Sequence, residues 1–351
     1  MSALADSFFI FTIDLLAFFA LYLIVTTSLN LELGYTGVPN LGKMLAVAGG
    51  AFVAGYFPGR FAAWLFGVTP TLDYVNNNSQ VLNLVSIGLQ ADVPLAIGLF
   101  ASTLVLAVLV GAILGYIASF PAIRLREDYL AITLLAMAEG LRVVGNNYVP
   151  IVGGPLGVGV ADVFGWIPVN RFTFLTFLML GLAGLVLLYA EFVARSPLGR
   201  SLRAIRDNEV AAEALGKDIV RMRMRVLVVG SGMAAIAGAM YSFYTGAVIA
   251  NSFDRTTWTF VPLVMVILGG SANNTGITVG TFTYVTVRKL IAFYKTALVA
   301  FIPFNAVWLD PMLLGIVLIV MLIFRAQGLV PEKPTFTLSR EKLRAIILQK
   351  S

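Results

Sequence analysis

Nine apolar runs order this chain: 8–29, 41–57, 94–119, 129–144, 173–194, 226–249, 258–270, 277–294 and 311–324. A helix needs roughly 20 apolar residues, at 1.5 Å each, to cross the hydrocarbon core of a bilayer. Several runs meet that length, whereas 41–57, 129–144 and 258–270 fall short and lie beside Gly, Pro and Asn. Short runs with such neighbours read as broken helices, and irregular backbone at membrane depth is tolerated only where protein or a watery cavity surrounds it. The expected fold class is therefore all-α, a polytopic membrane helix bundle of about 8–10 transmembrane segments with broken or re-entrant helices.

Composition narrows the function. Of the 351 residues, 59% are hydrophobic and 12% charged, roughly half the charge of an average soluble protein. The absence of Cys rules out disulfides, thiolate metal sites and cysteine nucleophiles. The absence of His removes the usual general base and the commonest transition-metal ligand. No metal site, no cofactor and no catalytic residue is expected. The net charge of +6 is no nucleic-acid footprint: of 24 Lys and Arg, 8 lie between Arg195 and Arg225 and 6 between Arg325 and Lys350. Basic loops beside membrane spans mark the cytoplasmic side, so 195–225 and the basic tail 331–351 are placed there, with the cell membrane as location. The loop from Arg124 to Asp128 joins them. Stretches 61–93 and 146–171 then lie outside. Parity makes 258–294 enter from outside and return, turning within 269–274. It puts the N-terminus outside too, unless 81–91 is a further membrane segment.

The densest charge cluster has a helical reading. Ser196 and Pro197 make a good N-cap and first helical residue, and Gly216 is a helix stop. Arg203 with Asp207, and Glu213 with Lys217, are spaced to meet on one helical face. Leu198, Leu202, Ile205, Ala212 and Leu215 supply the apolar side. An ordinary amphipathic loop helix on the bilayer surface satisfies the same pattern.

The stretch Glu209-Val210-Ala211-Ala212-Glu213-Ala214-Leu215-Gly216 resembles the EAA loop of ABC-importer permeases. The preceding Gly199-Arg200-Ser201-Leu202-Arg203-Ala204-Ile205-Arg206-Asp207 is similar to the branched-chain amino acid permease family. Gly34-Tyr35-Thr36-Gly37, the segment from Arg124 to Thr133, Gly153-Gly154-Pro155-Leu156-Gly157 and the segment from Phe324 to Leu329 resemble further motifs of that family in the same order. The resemblance covers nearly the whole chain. Lys43 departs from the family's usual His, Val38-Pro39-Asn40 replaces a more polar triplet, and Ser271–Thr275 replaces a glycine-rich loop.

The resemblance implies a transmembrane permease subunit (domain 1–330) of an ABC importer. Its partners would be two ATPase subunits that bind ATP, a second permease subunit, an extracytoplasmic substrate-binding protein and membrane lipid. The chain has no Gly-x-x-x-x-Gly-Lys-Ser/Thr phosphate loop, so it is not itself the ATPase. Gly199, Arg200, Arg203, Asp207, Glu209, Ala212, Glu213 and Gly216 are the expected ATPase-coupling residues. Helix breaks supply substrate-pathway candidates, at Gly34, Tyr35, Gly37, Asn40 and Gly42, at Gly153 and Gly154, and at Gly269, Gly270 and Asn273. Glu139 joins them as an intramembrane carboxylate. Close helix packing accounts equally for such glycines, as for Gly181, Gly184 and Gly238, and a helical pair with Arg142 accounts for Glu139. Asp14, Arg288 and Lys289 are further charges in apolar runs. The substrate reading is a branched-chain amino acid. The alternatives are urea or a short amide, or a secondary transporter driven by an ion gradient.

Overall fold

The computed structural model describes residues 2–68, 72–125, 127–167, 170–294, 308–325 and 327–332. The tail 331–351 lies outside the described residues except for Pro331 and Glu332, as does Arg126 of the 124–128 loop. Helices dominate: α1 (Ser2–Leu29), α2 (Lys43–Leu65), α3 (Asn78–Ala91), α4 (Val93–Arg124), α5 (Glu127–Asn147), α6 (Val149–Val152), α7 (Arg171–Arg195), α8 (Pro197–Asp207), α9 (Glu209–Ala214), α10 (Ile219–Thr245), α11 (Val261–Gly269), α12 (Asn274–Phe293) and α13 (Leu309–Phe324). Among the described residues the only strands are β1 (Val158–Gly159) and β2 (Ala247–Val248), an antiparallel pair in the register Val158↔Val248. The all-α expectation is met.

Four helical stretches are both long and apolar enough to span a membrane: Phe8–Tyr35, Val93–Pro121, Arg171–Arg195 and Ile219–Thr245. At 23, 21 and 20 residues, α2, α5 and α12 are also long enough at 1.5 Å per residue. Two of the three runs expected to be short thus belong to full-length helices. The apolar count understated them because their ends carry polar groups that find partners. Arg60 in α2 stacks on the rings of Tyr56 and Tyr74 at 4.2 and 4.5 Å and donates to the Pro150 carbonyl at 2.6 Å. The third run, 258–270, is short: a π-helical turn Thr256–Phe260 leads into α11.

The packing supports the parity read from the charges. Asp14 of α1 pairs with Lys289 of α12 at 2.6 Å and Phe11 meets Phe293, so the start of α1 and the end of α12 share one face. The turn between α11 and α12 lies at the opposite face, which carries the basic α7–α10 connection (the basic face hereafter). With 14 residues, α3 is about 21 Å long, short of a ~30 Å core. Asn78 at its start accepts from the Gly159 amide, and Gln90 near its end adjoins Gly165. It lies along the far face rather than forming an extra crossing.

At the centre, α10 packs against α4 and α2 along a run of small residues, Ser231, Gly232, Ala234, Ala235, Ala237, Gly238 and Ala239, all buried. Small residues let backbones approach where no water drives helices together. A Cβ at Gly238 would run into the Val47 backbone of α2, as the packing reading expects. Gly181 and Gly184 differ, because a Cβ there would meet nothing within 4 Å. They lie on the open side of α7 with Phe177, Leu185 and Leu188, so packing within this chain does not explain them.

Candidate functional site

Two helices project from the bundle at the basic face. Pro197 opens α8, and the Ser196 hydroxyl caps it by accepting from the Gly199 amide at 3.4 Å. Leu202 and Ile205 of α8 are buried against the bundle. Asn208 caps α9 by accepting from the Ala211 amide at 3.0 Å, and the chain turns at Gly216 with φ +75°, a left-handed conformation that glycine accommodates without Cβ strain. The start and stop read from the sequence are thus observed.

The predicted coupling residues divide by face. Arg200, Asp207, Glu209, Glu213 and Gly216 are exposed, whereas Gly199 and Ala212 are buried and Arg203 is half-buried. Two apolar side chains unexpectedly stand out among them, Val210 and Leu215, 77% and 79% exposed. Leu215 corrects the sequence reading, which placed it on the apolar side with Leu198, Leu202 and Ile205: it lies past the end of α9, where the chain turns out at Gly216. The spacing argument for ion pairs fails here. Arg203 points at the bundle instead of Asp207, donating to the Ala194 carbonyl at 3.1 Å and lying 5.7 Å from the Tyr35 ring centre. Asp207 pairs with Arg206 at 3.2 Å. Lys217 lies beyond the end of α9, so the helical relation to Glu213 is lost. Glu209 instead bridges to Arg223 of α10. Tertiary partners outcompete pairs whose solvent-exposed contribution is only a few tenths of a kcal/mol.

Facing α8 is the break after α1. There α1 widens into a π-helical turn, Asn30–Tyr35, and Gly37 takes φ +77° beside the Arg206 side chain. Arg206 donates to the Gly34 carbonyl at 2.7 Å and pairs with Glu332 at 3.0 Å. The broken helix, the projecting pair and the segment after α13 therefore converge on one guanidinium. Sequence reasoning had Arg206 within a motif but gave it no role. Its place one residue after buried Ile205 was the available clue.

Beneath this contact the polar groups form two sets, one fully buried around Glu32 and Lys43 and one that runs from buried Asn30 out to exposed Arg195. Glu32 and Lys43, both 0% exposed, pair at 2.8 Å. Asn40 donates to the second Glu32 oxygen at 3.0 Å and accepts from the Gly42 amide at 3.0 Å. Asn30 donates to Asn274 at 3.0 Å and accepts from the Ala272 amide at 2.8 Å. Asn274 in turn donates to Glu191 of α7 at 2.7 Å, and Arg195 holds the other Glu191 oxygen at 2.6 Å. Glu32 and Lys43 thus brace α1 against α2, while Asn274 ties α1 to α12 and α7.

The pathway candidates separate in space. Gly34 lies against the Ala272 backbone, so the first break and the α11–α12 turn are adjacent. Gly270 has φ +105°, and strand-like bonds from Leu329 to the Leu268 carbonyl (2.8 Å) and from Val330 to the Gly269 carbonyl (3.1 Å) cover the turn. Asn273 caps α12 by accepting from the Thr275 and Gly276 amides and donates to the Val330 and Pro331 carbonyls. Asn273→Ala is expected to cost about 1–2 kcal/mol and to speed hydrogen exchange of the Thr275 and Gly276 amides; wild-type protection would refute this capping role. Glu139, Gly153 and Gly154 lie apart from this cluster. Glu139 pairs with Arg142 at 2.7 Å, and Arg142 donates to Asn251 at 2.9 Å. Gly153 and Gly154 take φ of +74° and +63° in the loop of the far face.

Apolar helices around a few internal polar groups, with an exposed helical pair keyed into a broken helix, fit an integral membrane transport permease. The chain belongs to the family described as branched-chain amino acid transport system / permease component, whose model matches residues 11–322. That family is a transport component and not an enzyme. The chain is 37% identical over 326 residues to a probable branched-chain amino acid transport permease protein LivM of Methanocaldococcus jannaschii, covering 92% of this chain and 94% of that protein. High-affinity branched-chain amino acid transport system permease proteins LivM of Salmonella typhimurium and Escherichia coli are each 30% identical over 257 residues, 66% of this chain and 57% of theirs. No solved structure matches significantly.

Proposed function

We propose that this chain is the transmembrane subunit of an ABC importer for branched-chain amino acids, working by alternating access. Partner ATPases bind the ATP and drive the cycle, an extracytoplasmic binding protein delivers the substrate, and a second permease subunit completes the pathway. The observation that carries this reading is Arg206, which links the projecting helices α8 and α9 to the break in α1. A partner that moves α8 moves the Gly34 carbonyl with it. Val210 and Leu215 are exposed on the same short segment as exposed Glu209 and Glu213, which offers a partner apolar side chains beside charged ones, as protein interfaces do. The chain's similarity to the LivM permeases of branched-chain amino acid transport supports the substrate.

ATP-driven uptake by the reconstituted complex, comparing leucine with urea, tests the whole reading. Uptake driven by an ion gradient without ATP would overturn it, and preference for urea would move the substrate to short amides. Glu213→Lys reverses an exposed charge at the border. It is expected to leave the permease folded while uncoupling uptake from ATP hydrolysis, and unchanged uptake in vesicles would count against Glu213 as a docking residue.

A further inference from the structure

A cavity of about 340 Å³ opens in the half of the bundle away from the basic face, lined by Phe18 and Tyr22 of α1, Tyr241 of α10, Ser252, Thr257 and Trp258 of the turn before α11, and Val285, Arg288, Lys289 and Ala292 of α12. Its volume falls within the ~300–1,000 Å³ of small-molecule sites. Its floor is an aromatic cluster: Trp258 stacks on Tyr22 with centres 5.7 Å apart and meets Tyr241 edge-on at 5.0 Å. The Trp258 indole donates to the Ser252 carbonyl at 3.2 Å, which locks the ring. In the wall, Arg288 donates to the Tyr22 hydroxyl at 2.9 Å. Lys289 lies 3.5 Å from the Phe18 ring centre and pairs with Asp14 behind it.

None of these groups belongs to the contact between α8 and the broken helix. Cations at membrane depth are expensive, and where they line a cavity they mark a solute's path. We infer that this cavity is a substrate site of the permease, in which Arg288 receives the carboxylate of an aliphatic amino acid. The guanidinium fork matches a carboxylate, the aromatic faces attract an ammonium, and Val285, Ala292 and Phe18 take an apolar side chain. Arg288 and Lys289 are the charged groups of the lining, so the cavity offers positive charge to a carboxylate and aromatic faces to the ammonium, whereas urea carries neither charge. This inference rests on the amino acid importer reading and gives it a location.

The test is equilibrium binding of radiolabelled leucine to the full chain in lipid nanodiscs. Competitors are leucine, leucinol (which lacks the carboxylate) and urea. Saturable binding displaced at least about tenfold less well by leucinol, and not by urea, is expected, as the loss of a charge-assisted hydrogen bond requires. Arg288→Gln should weaken leucine binding by at least about tenfold, and Val285→Trp should fill the cavity and abolish it. Equal competition by leucinol, absence of saturable binding to the wild type, or wild-type binding by both variants would overturn the site. The wild-type competition stands even if a variant does not fold. ATP-driven leucine uptake that persists undiminished in Arg288→Gln sinks the cavity alone; uptake of urea in place of leucine by the wild-type complex sinks the importer reading with it.

Discussion

Lys43→Met is expected to destabilise the permease by about 3–5 kcal/mol, the cost of leaving one partner of a buried ion pair without the other. Glu32 would keep only Asn40, in a site where neither side chain of the pair is exposed and where Gly230 of α10 packs directly against the Glu32 carboxylate. The check is thermal unfolding of the purified chain in detergent, read beside Glu32→Gln and the double variant. Removing both charges should recover most of the loss, because a buried pair replaced by uncharged groups of similar volume is often neutral or better. If the double variant is as unstable as the sum of the singles, the pair is not coupled and the account of the α1–α2 brace fails.

Arg206→Met should reduce ATP-driven uptake by about tenfold or more while the complex continues to hydrolyse ATP. The size follows from losing a charge-assisted bond to a buried carbonyl, worth roughly 1.5–3 kcal/mol, in the link between α8 and the first break. Methionine keeps the apolar stem against Gly37 but removes the bonds to Gly34 and Glu332. Arg206→Lys keeps the charge without the fork and should fall between the two. Uptake within about twofold of the wild type in Arg206→Met would mean that movement of α8 reaches the bundle by another route; a tenfold change corresponds to about 1.4 kcal/mol.

Several local features were legible. The cap at Ser196, the stop at Gly216 and the turn between Gly269 and Asn274 each depend on residues within a few positions, so reading along the chain finds them. The projecting helices and the break at 34–42 were likewise recognised, but their contact was not: Arg206 and Gly34 are 172 residues apart. Lys43 stood out only as a departure from a family motif, and its partner lies eleven residues back, across irregular backbone that no helical or strand period describes. The Arg203–Asp207 spacing misled for the same reason. An i,i+4 pair is worth about 0.3–0.5 kcal/mol, and Arg203 gains more from the Ala194 carbonyl and the Tyr35 ring.

The sequence by itself determined that this chain lives in a bilayer, which runs become helices, which face is basic, and where α8 and the α11–α12 turn begin. Hydrophobic length, charge placement and capping chemistry are properties of neighbouring residues. Only the tertiary structure decided which of the few polar groups meet: Glu32 with Lys43, Asn30 with Asn274 and Glu191, Arg206 with Gly34, and Arg288 at the rim of an aromatic cavity. In a low-dielectric interior each such group must find a partner, and local periodicity cannot say which partner packing will bring.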